Sequence, residues 1–194
     1  MEAAFASRLA LTALALTLSS CAGAAHLYGR VVAVADGDTL TVLDGAERPH
    51  KVRLSAIDAP ERRQAYGERA KQHLVRLARG KSVLVDWHKR DRYGRIVGRV
   101  LLRDCASVDC GYVQDVALEQ LRAGLAWHFP RYASEQPLHE RVQYAGVERD
   151  ARARREGLWQ QPEPVPPWLF RKTASDSESR NPRLSRVFFS HENC

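Results

Sequence analysis

Three short stretches of the chain carry side chains whose types and spacing could do chemistry. Asp36-Gly37-Asp38-Thr39 is an acidic turn between apolar segments. Val52-Arg53-Leu54-Ser55-Ala56-Ile57-Asp58-Ala59-Pro60-Glu61 sets one arginine and two carboxylates close together, and Asp91-Arg92-Tyr93-Gly94-Arg95 adds two arginines flanking an aromatic ring. Together they offer hard oxygen ligands for a divalent cation, a spare carboxylate able to act on water, and planar guanidinium groups that grip two phosphoryl oxygens at once. That is the inventory of a metal-dependent phosphodiesterase. Zinc would want His or Cys ligands, which this cluster lacks. An EF-hand loop starting at Asp36 also fails, because Leu40 stands where an oxygen ligand is needed and Thr41 where the loop needs glycine, although Asp38 and Glu47 would fit.

The elements that would position these residues follow from periodicity. Val52, Leu54 and Ala56 alternate with Arg53 and Ser55, the pattern of a half-buried strand whose other face holds a cation. Pro60 ends that strand, since it has no amide hydrogen for a ladder and forces Ala59 out of helical geometry. Asp58 and Glu61 are therefore expected on a stiff turn just past the strand end. Residues 27–35, 40–43 and 52–57 read as a three-strand meander with turns at Asp36-Gly37-Asp38 and from Asp44-Gly45 onward. Helical spacing runs over 66–78, with Ala70, Leu74, Leu77 and Ala78 on one face and Gly80 as the stop. Strands 82–88 and 95–102 follow, joined around Tyr93-Gly94. A helix over 113–123 ends at Gly124, an aromatic stretch occupies 127–132, and a helix over 135–156 closes at Gly157. This order predicts an α+β domain, a five-stranded OB-type β-barrel with about three α-helices, a class that often binds oligonucleotides across one face.

A chain of 194 residues with 30 Lys+Arg against 23 Asp+Glu, a net charge of +7, is one domain plus extensions with a surface suited to polyanions. Residues 1–25 read as a secretory signal: Arg8 precedes an apolar run from Leu9 to Leu18 that is too short to span a bilayer. Cleavage could follow Ala22-Gly23-Ala24, or Leu18-Ser19-Ser20-Cys21 could act as a lipoprotein box that lipidates Cys21 and tethers the protein to a membrane. The expected location is periplasmic, secreted or membrane-anchored. In an exported chain Cys105 and Cys110, which flank a four-residue loop, favour a local disulfide over a metal pair, because no second Cys or His pair stands at ligand spacing nearby. Cys194 is then left over. The domain spans 26–159, and 160–194, with Pro162, Pro164, Pro166 and Pro167 followed by polar residues, reads as an extended tail.

Taken jointly, Asp-Gly-Asp-Thr at 36–39, Arg53, Asp-Ala-Pro-Glu at 58–61 and Asp-Arg-Tyr-Gly-Arg at 91–95 resemble the thermonuclease family, the staphylococcal-nuclease-like domains. Gly124-Leu125-Ala126 and Ala151 to Trp159 are similar to the family's closing segments. The resemblance implies a Ca2+-dependent endonuclease acting on DNA or RNA as a monomer and leaving 3′-phosphate ends. It implies Asp38, Asp58 and the main-chain carbonyl of Ala59 as Ca2+ ligands, where the family commonly has threonine at that last position. Glu61 would position or deprotonate the attacking water, and Arg53 and Arg95 would clamp the phosphate. Tyr93 and Arg92 are candidates for substrate contact, whereas Phe129 can stack but cannot donate the hydrogen bond of the tyrosines the family has near this point. Two rivals stand beside this reading. One is a barrel that binds nucleic acid without cutting it; the other is a histidine-based nuclease using His88 or His128, neither of which has suitable acidic ligands beside it in sequence.

Overall fold

The structure is a computed structural model that describes residues 25–103 and 111–180. Cys21, Cys105, Cys110 and Cys194, with residues 1–24 of the expected signal segment, lie outside the described residues.

Strands β1 (Ala25–Val34), β2 (Thr39–Asp44) and β3 (Pro49–Leu54) form an antiparallel meander, with Val31 opposite Val42 and Leu40 opposite Val52. After a two-residue strand β4 (Ile57–Asp58) and helix α1 (Gly67–Ala78), the chain returns as β5 (Ser82–Arg90) beside β1 and turns into β6 (Ile96–Arg103). β6 then pairs in parallel with β3, Arg53 opposite Val97, so the order β3-β2-β1-β5-β6 comes back to β3 as a five-stranded OB-type barrel. Period-two alternation points one set of side chains inward: Val31, Leu40, Val42, Val52, Leu54, Val83, Val85, Val100 and Leu102 are all buried. Each such side chain contributes about 1.5–3 kcal/mol of apolar transfer free energy. Helix α1 covers the barrel with Ala70, Leu74 and Ala78.

Three elements differ from the sequence expectation. Residues 112–115 form strand β7 (Tyr112–Asp115) on the edge of β6, and helix α2 is confined to Val116–Arg122. The boundary is set by Asp115, whose Oδ1 accepts from the amides of Ala117 (2.9 Å) and Leu118 (3.3 Å), an N-cap that fixes where the helix starts. The long helix expected over 135–156 is divided at Pro137: a 3-10 turn covers Pro130–Glu135 and α3 covers Leu138–Ala153. Between α2 and that turn, β8 (Trp127–His128) pairs with β4.

The third difference is in the region expected to be an extended tail. A 3-10 turn at Gly157–Gln160 leads through the prolines into a fourth helix, α4 (Pro167–Arg180). Pro167 opens this helix because the first helical residue needs no amide donor, so the proline cluster ends where a helix can begin. Trp168 packs edge-on against Trp127 (5.7 Å between centroids) and tilted against Phe129 (5.1 Å), and the Gln64 side chain donates to the Val165 carbonyl. The segment is thereby seated on the domain.

Candidate active site

The site is assembled where β3 ends. Ala56, buried and held in the left-handed region at φ 63°, kinks the chain between β3 and β4, a conformation costing an L-residue roughly 1–2 kcal/mol. The kink brings Asp58 into register with Trp127 of β8, so its backbone is fixed by a ladder instead of lying on a free turn. Across from it, the acidic turn is held at several points. The Asp38 amide donates to Asp36 Oδ1 (3.0 Å) and the Asp38 carbonyl accepts from the Leu54 amide (2.8 Å). Asp38 Oδ2 accepts from the amide of Ala59 (3.0 Å), and Oδ1 from the Thr39 hydroxyl (3.1 Å). Gly37 lets this turn approach α1: a Cβ there would stand 2.7 Å from both the Ala59 and Ala70 methyls. The Gly37 and Ala70 carbonyls both accept from the side-chain amide of Gln120, a fully buried polar residue of α2.

Arg53 lies between the two aspartates. Its Nη2 donates to Asp58 Oδ1 (2.8 Å) and stands 3.4 Å from Asp38 Oδ2, while Nη1 donates to the Ile57 carbonyl (3.1 Å). The Arg53 side chain is only 14% exposed and that of Asp58 1%. Burial opposes the guanidinium charge, but Asp38 and then Asp58 outweigh it and hold Arg53 above its ordinary pKa. Asp58 goes up despite Arg53: burial is the main cause, with the Asp38 charge adding to it. Asp36 is pushed up to about 6 by burial and by the charge of Asp38.

The second wall is the β5–β6 hairpin. Asp91 accepts from the backbone amides of Tyr93 and Arg95 (2.9 and 3.0 Å) and from Arg95 Nε (2.7 Å), which sets the turn and the side chain together. Partial burial opposes ionisation of Asp91, yet the Arg95 side chain holds its carboxyl below the usual range. Arg95 Nη1 also reaches Thr39 Oγ1 (3.3 Å), so this arginine leans over the acidic turn. Tyr93 is exposed, with the Arg92 and Arg95 guanidinium carbons 4.8 and 5.6 Å from its ring centre. Asp38, Arg53, Asp58, Ala59, Glu61, Arg92, Tyr93 and Arg95 all line one cleft of about 580 Å³. Lys89, Arg90, Arg131, Phe129 and Tyr132 line it too, a basic and aromatic rim around an acidic floor. His88 and His128 do not line this cleft.

Among the described residues no three His, Cys, Asp or Glu side chains converge as a metal-binding group. The candidate donor set is smaller: Asp38 and Asp58, both in contact with the same Arg53 nitrogen, and the backbone of Ala59 beside them. These donors fit a hard cation. Asp36 and Asp58 are pushed toward their neutral forms chiefly by burial and further by the charge of Asp38, and an oxygen-ligated divalent ion would add positive charge beside these carboxylates.

Two residues of the site were not singled out by motif. Gln120 carried a signal, being the one polar member of the apolar face of α2 formed by Val116, Ala117 and Leu121. Arg171 carried none, as it lies in the segment read as a tail. It reaches the cleft from α4, with Nη2 donating to Asp58 Oδ2 (2.7 Å) and Nη1 to Glu61 Oε1 (2.6 Å).

The staphylococcal nuclease homologue family matches residues 51–161. The chain belongs to the staphylococcal nuclease family. It is 39% identical over 147 residues to an uncharacterized endonuclease of Escherichia coli, covering 76% of this chain and 86% of the relative. It is 33% identical over 177 residues to the micrococcal nuclease of Shigella flexneri, covering 91% and 99%. An uncharacterized endonuclease of Haemophilus influenzae is 34% identical over 168 residues, 85% of each chain. Membership of this family supports a nuclease function.

Proposed function

We propose that this protein is an exported, Ca2+-dependent endonuclease that hydrolyses phosphodiester bonds of DNA or RNA in the cleft between the acidic turn and the β5–β6 hairpin. The observation that carries the reading is Arg53, buried between Asp38 and Asp58 at the floor of a cleft whose rim also holds Glu61 and Arg95. Asp38, Asp58 and the Ala59 carbonyl would hold the metal, which supplies positive charge to the phosphoryl oxygens and so favours attack on phosphorus. Arg53 and Arg95 would grip the phosphate in a fixed geometry and meet the charge that grows on it, since guanidinium groups pre-set by Asp58 and Asp91 need little reorganisation at the moment of reaction. Glu61 would orient the attacking water or take its proton. Its side chain is 41% exposed, so solvent reaches the carboxylate even while Oε1 is paired with Arg171. Lys89, Arg90 and Arg92, with Tyr93, Phe129 and Tyr132, would follow the strand on either side of the scissile bond, charge on the backbone and rings on the bases. The Leu9–Leu18 run supports export, with Cys21 as a candidate lipid attachment point.

The alternative is a domain that binds nucleic acid without cutting it, and Glu61→Gln separates the two. As a nuclease, the variant loses roughly 100-fold to 10,000-fold in turnover with binding almost unchanged. Cleavage by Glu61→Gln at the wild-type rate under saturating substrate would overturn the role given to Glu61.

A further inference from the structure

The Asp58 carboxylate is fully engaged by guanidinium groups. Oδ1 accepts from Arg53 Nη2 (2.8 Å) and Arg171 Nη1 (3.2 Å), and Oδ2 accepts from Arg171 Nη2 (2.7 Å). Arg171 Nη1 also spans to Glu61 Oε1 (2.6 Å), so one side chain joins a candidate metal ligand to the candidate water-activating carboxylate. The contact is long-range, 113 residues from Asp58 in sequence, and it is delivered by a docked element. Trp168, one helical turn before Arg171, is wedged against Phe129 and Trp127, and Gln64 ties Val165 to the loop that carries Glu61, whose amide donates back to Gln64 Oε1 (3.1 Å). Asp58 and Glu61 in turn raise the pKa of Arg171 against the opposing effect of burial, so it is a fixed cation at every pH of interest.

We infer that Arg171 is a built-in counter-cation that competes with Ca2+ for Asp58, so that docking of α4 and metal binding exclude one another and the C-terminal helix holds the enzyme in an inhibited form until metal displaces it. This rests on the metal site proposed above and adds its regulation. A Ca2+ bound to an Asp58 oxygen at about 2.3–2.6 Å would meet the Arg171 guanidinium at near contact distance, two like charges in a partly buried space. The arginine must leave Asp58 before the ion can use it. Two consequences follow from linkage: the apparent Ca2+ affinity is the intrinsic affinity multiplied by the fraction of molecules in which α4 is undocked, and Ca2+ in turn shifts α4 toward its undocked state. Because Arg171 bridges to Glu61, undocking also frees that carboxylate for water.

The test uses the full chain and Ca2+ itself. Isothermal titration compares wild type, Arg171→Ala, Arg171→Gln and Lys172→Ala, the last removing the same charge from the neighbouring position of α4. Both Arg171 variants are expected to bind Ca2+ about tenfold more tightly than wild type, with Lys172→Ala within about twofold. In wild type, saturating Ca2+ should speed amide exchange over residues 167–173 and expose the Arg171 and Lys172 bonds to trypsin. Equal Ca2+ affinity in wild type and both variants, or weaker binding in the variants, overturns the competition while leaving the metal site intact. Absence of any Ca2+ binding in wild type and both variants overturns the metal site and the competition with it. Should the variants fail to fold, unchanged exchange of α4 in Ca2+-saturated wild type overturns the inference alone.

Discussion

Arg53→Ala is the substitution for which the structure makes the most specific demand, because the same side chain that would grip phosphate also neutralises the floor of the site. Its removal leaves Asp58, 1% exposed, with Arg171 as its remaining guanidinium partner, leaves Asp38 with one fewer cation, and costs the Ile57 carbonyl a donor. Breaking a buried ion pair from one side typically costs about 3–5 kcal/mol when the remaining charge is left unpaired, and Arg171, still bonded to Asp58, keeps the loss toward the lower end of that range. In a chain of this size that corresponds to a fall in melting temperature on the order of 10 °C. Arg95→Ala provides the contrast: its partner Asp91 is 20% exposed, the pair lies on a hairpin, and its loss should cost only about 0–1 kcal/mol. Both variants should lose about 100-fold to 1,000-fold in cleavage, so the two arginines would match in activity and separate in stability. Ca2+ should narrow the stability gap between Arg53→Ala and wild type, because it brings charge to the same carboxylates, and should stabilise Arg95→Ala only as much as it stabilises wild type. Urea unfolding of both variants, with and without saturating Ca2+, reads this directly. An Arg53→Ala protein within about 1 kcal/mol of wild type in the absence of metal would refute the claim that Arg53 neutralises a buried carboxylate pair.

Other expectations follow from the supports of the site. Gln120→Leu leaves the Gly37 and Ala70 carbonyls without their side-chain donor and should cost about 1–3 kcal/mol in unfolding free energy, with weakened Ca2+ binding by titration because Asp38 is one residue from Gly37. Gly37→Ala forces a methyl to within 2.7 Å of the Ala59 and Ala70 methyls, and should reduce Ca2+ affinity and turnover together while leaving the barrel's far-UV circular dichroism unchanged. Asp91→Asn should lower stability relative to wild type at neutral pH. Because the folded-state pKa of Asp91 is depressed, its contribution is complete above the unfolded carboxylate pKa of about 3.9 and is lost as pH falls through the folded value, so the two proteins should converge in acid unfolding series below about pH 4.

The barrel was legible in the sequence because its strands alternate cleanly: Val52 and Leu54 against Arg53, or Leu40 and Val42 against Thr41, leave one face for the core. The helix starts were less so. Tyr112 and Val113 fit helical spacing with Val116, and only the cap made by Asp115 decides that they belong to a strand. Pro137 divides what reads as one long helix, a local rule outweighed in the sequence by the apolar spacing around it. The residues lining the cleft were legible as motifs because chemistry constrains their type as well as their spacing. Arg171 was not, since nothing in a stretch rich in proline and polar residues reveals that Trp168 has an aromatic seat on Phe129 and Trp127, and the arginine's position depends on that docking.

The Asp38–Arg53–Asp58 cleft is proposed to be a metal-dependent phosphodiesterase centre. The direct measurement is cleavage of denatured DNA by purified full-length protein, with Ca2+ or with excess chelator, in wild type and Asp58→Asn. Wild type should cut with Ca2+ and stop when the chelator is added, and Asp58→Asn should lose both Ca2+ binding and cleavage while retaining its fold by circular dichroism. Full cleavage in excess chelator, or undiminished cleavage by Asp58→Asn, would contradict it.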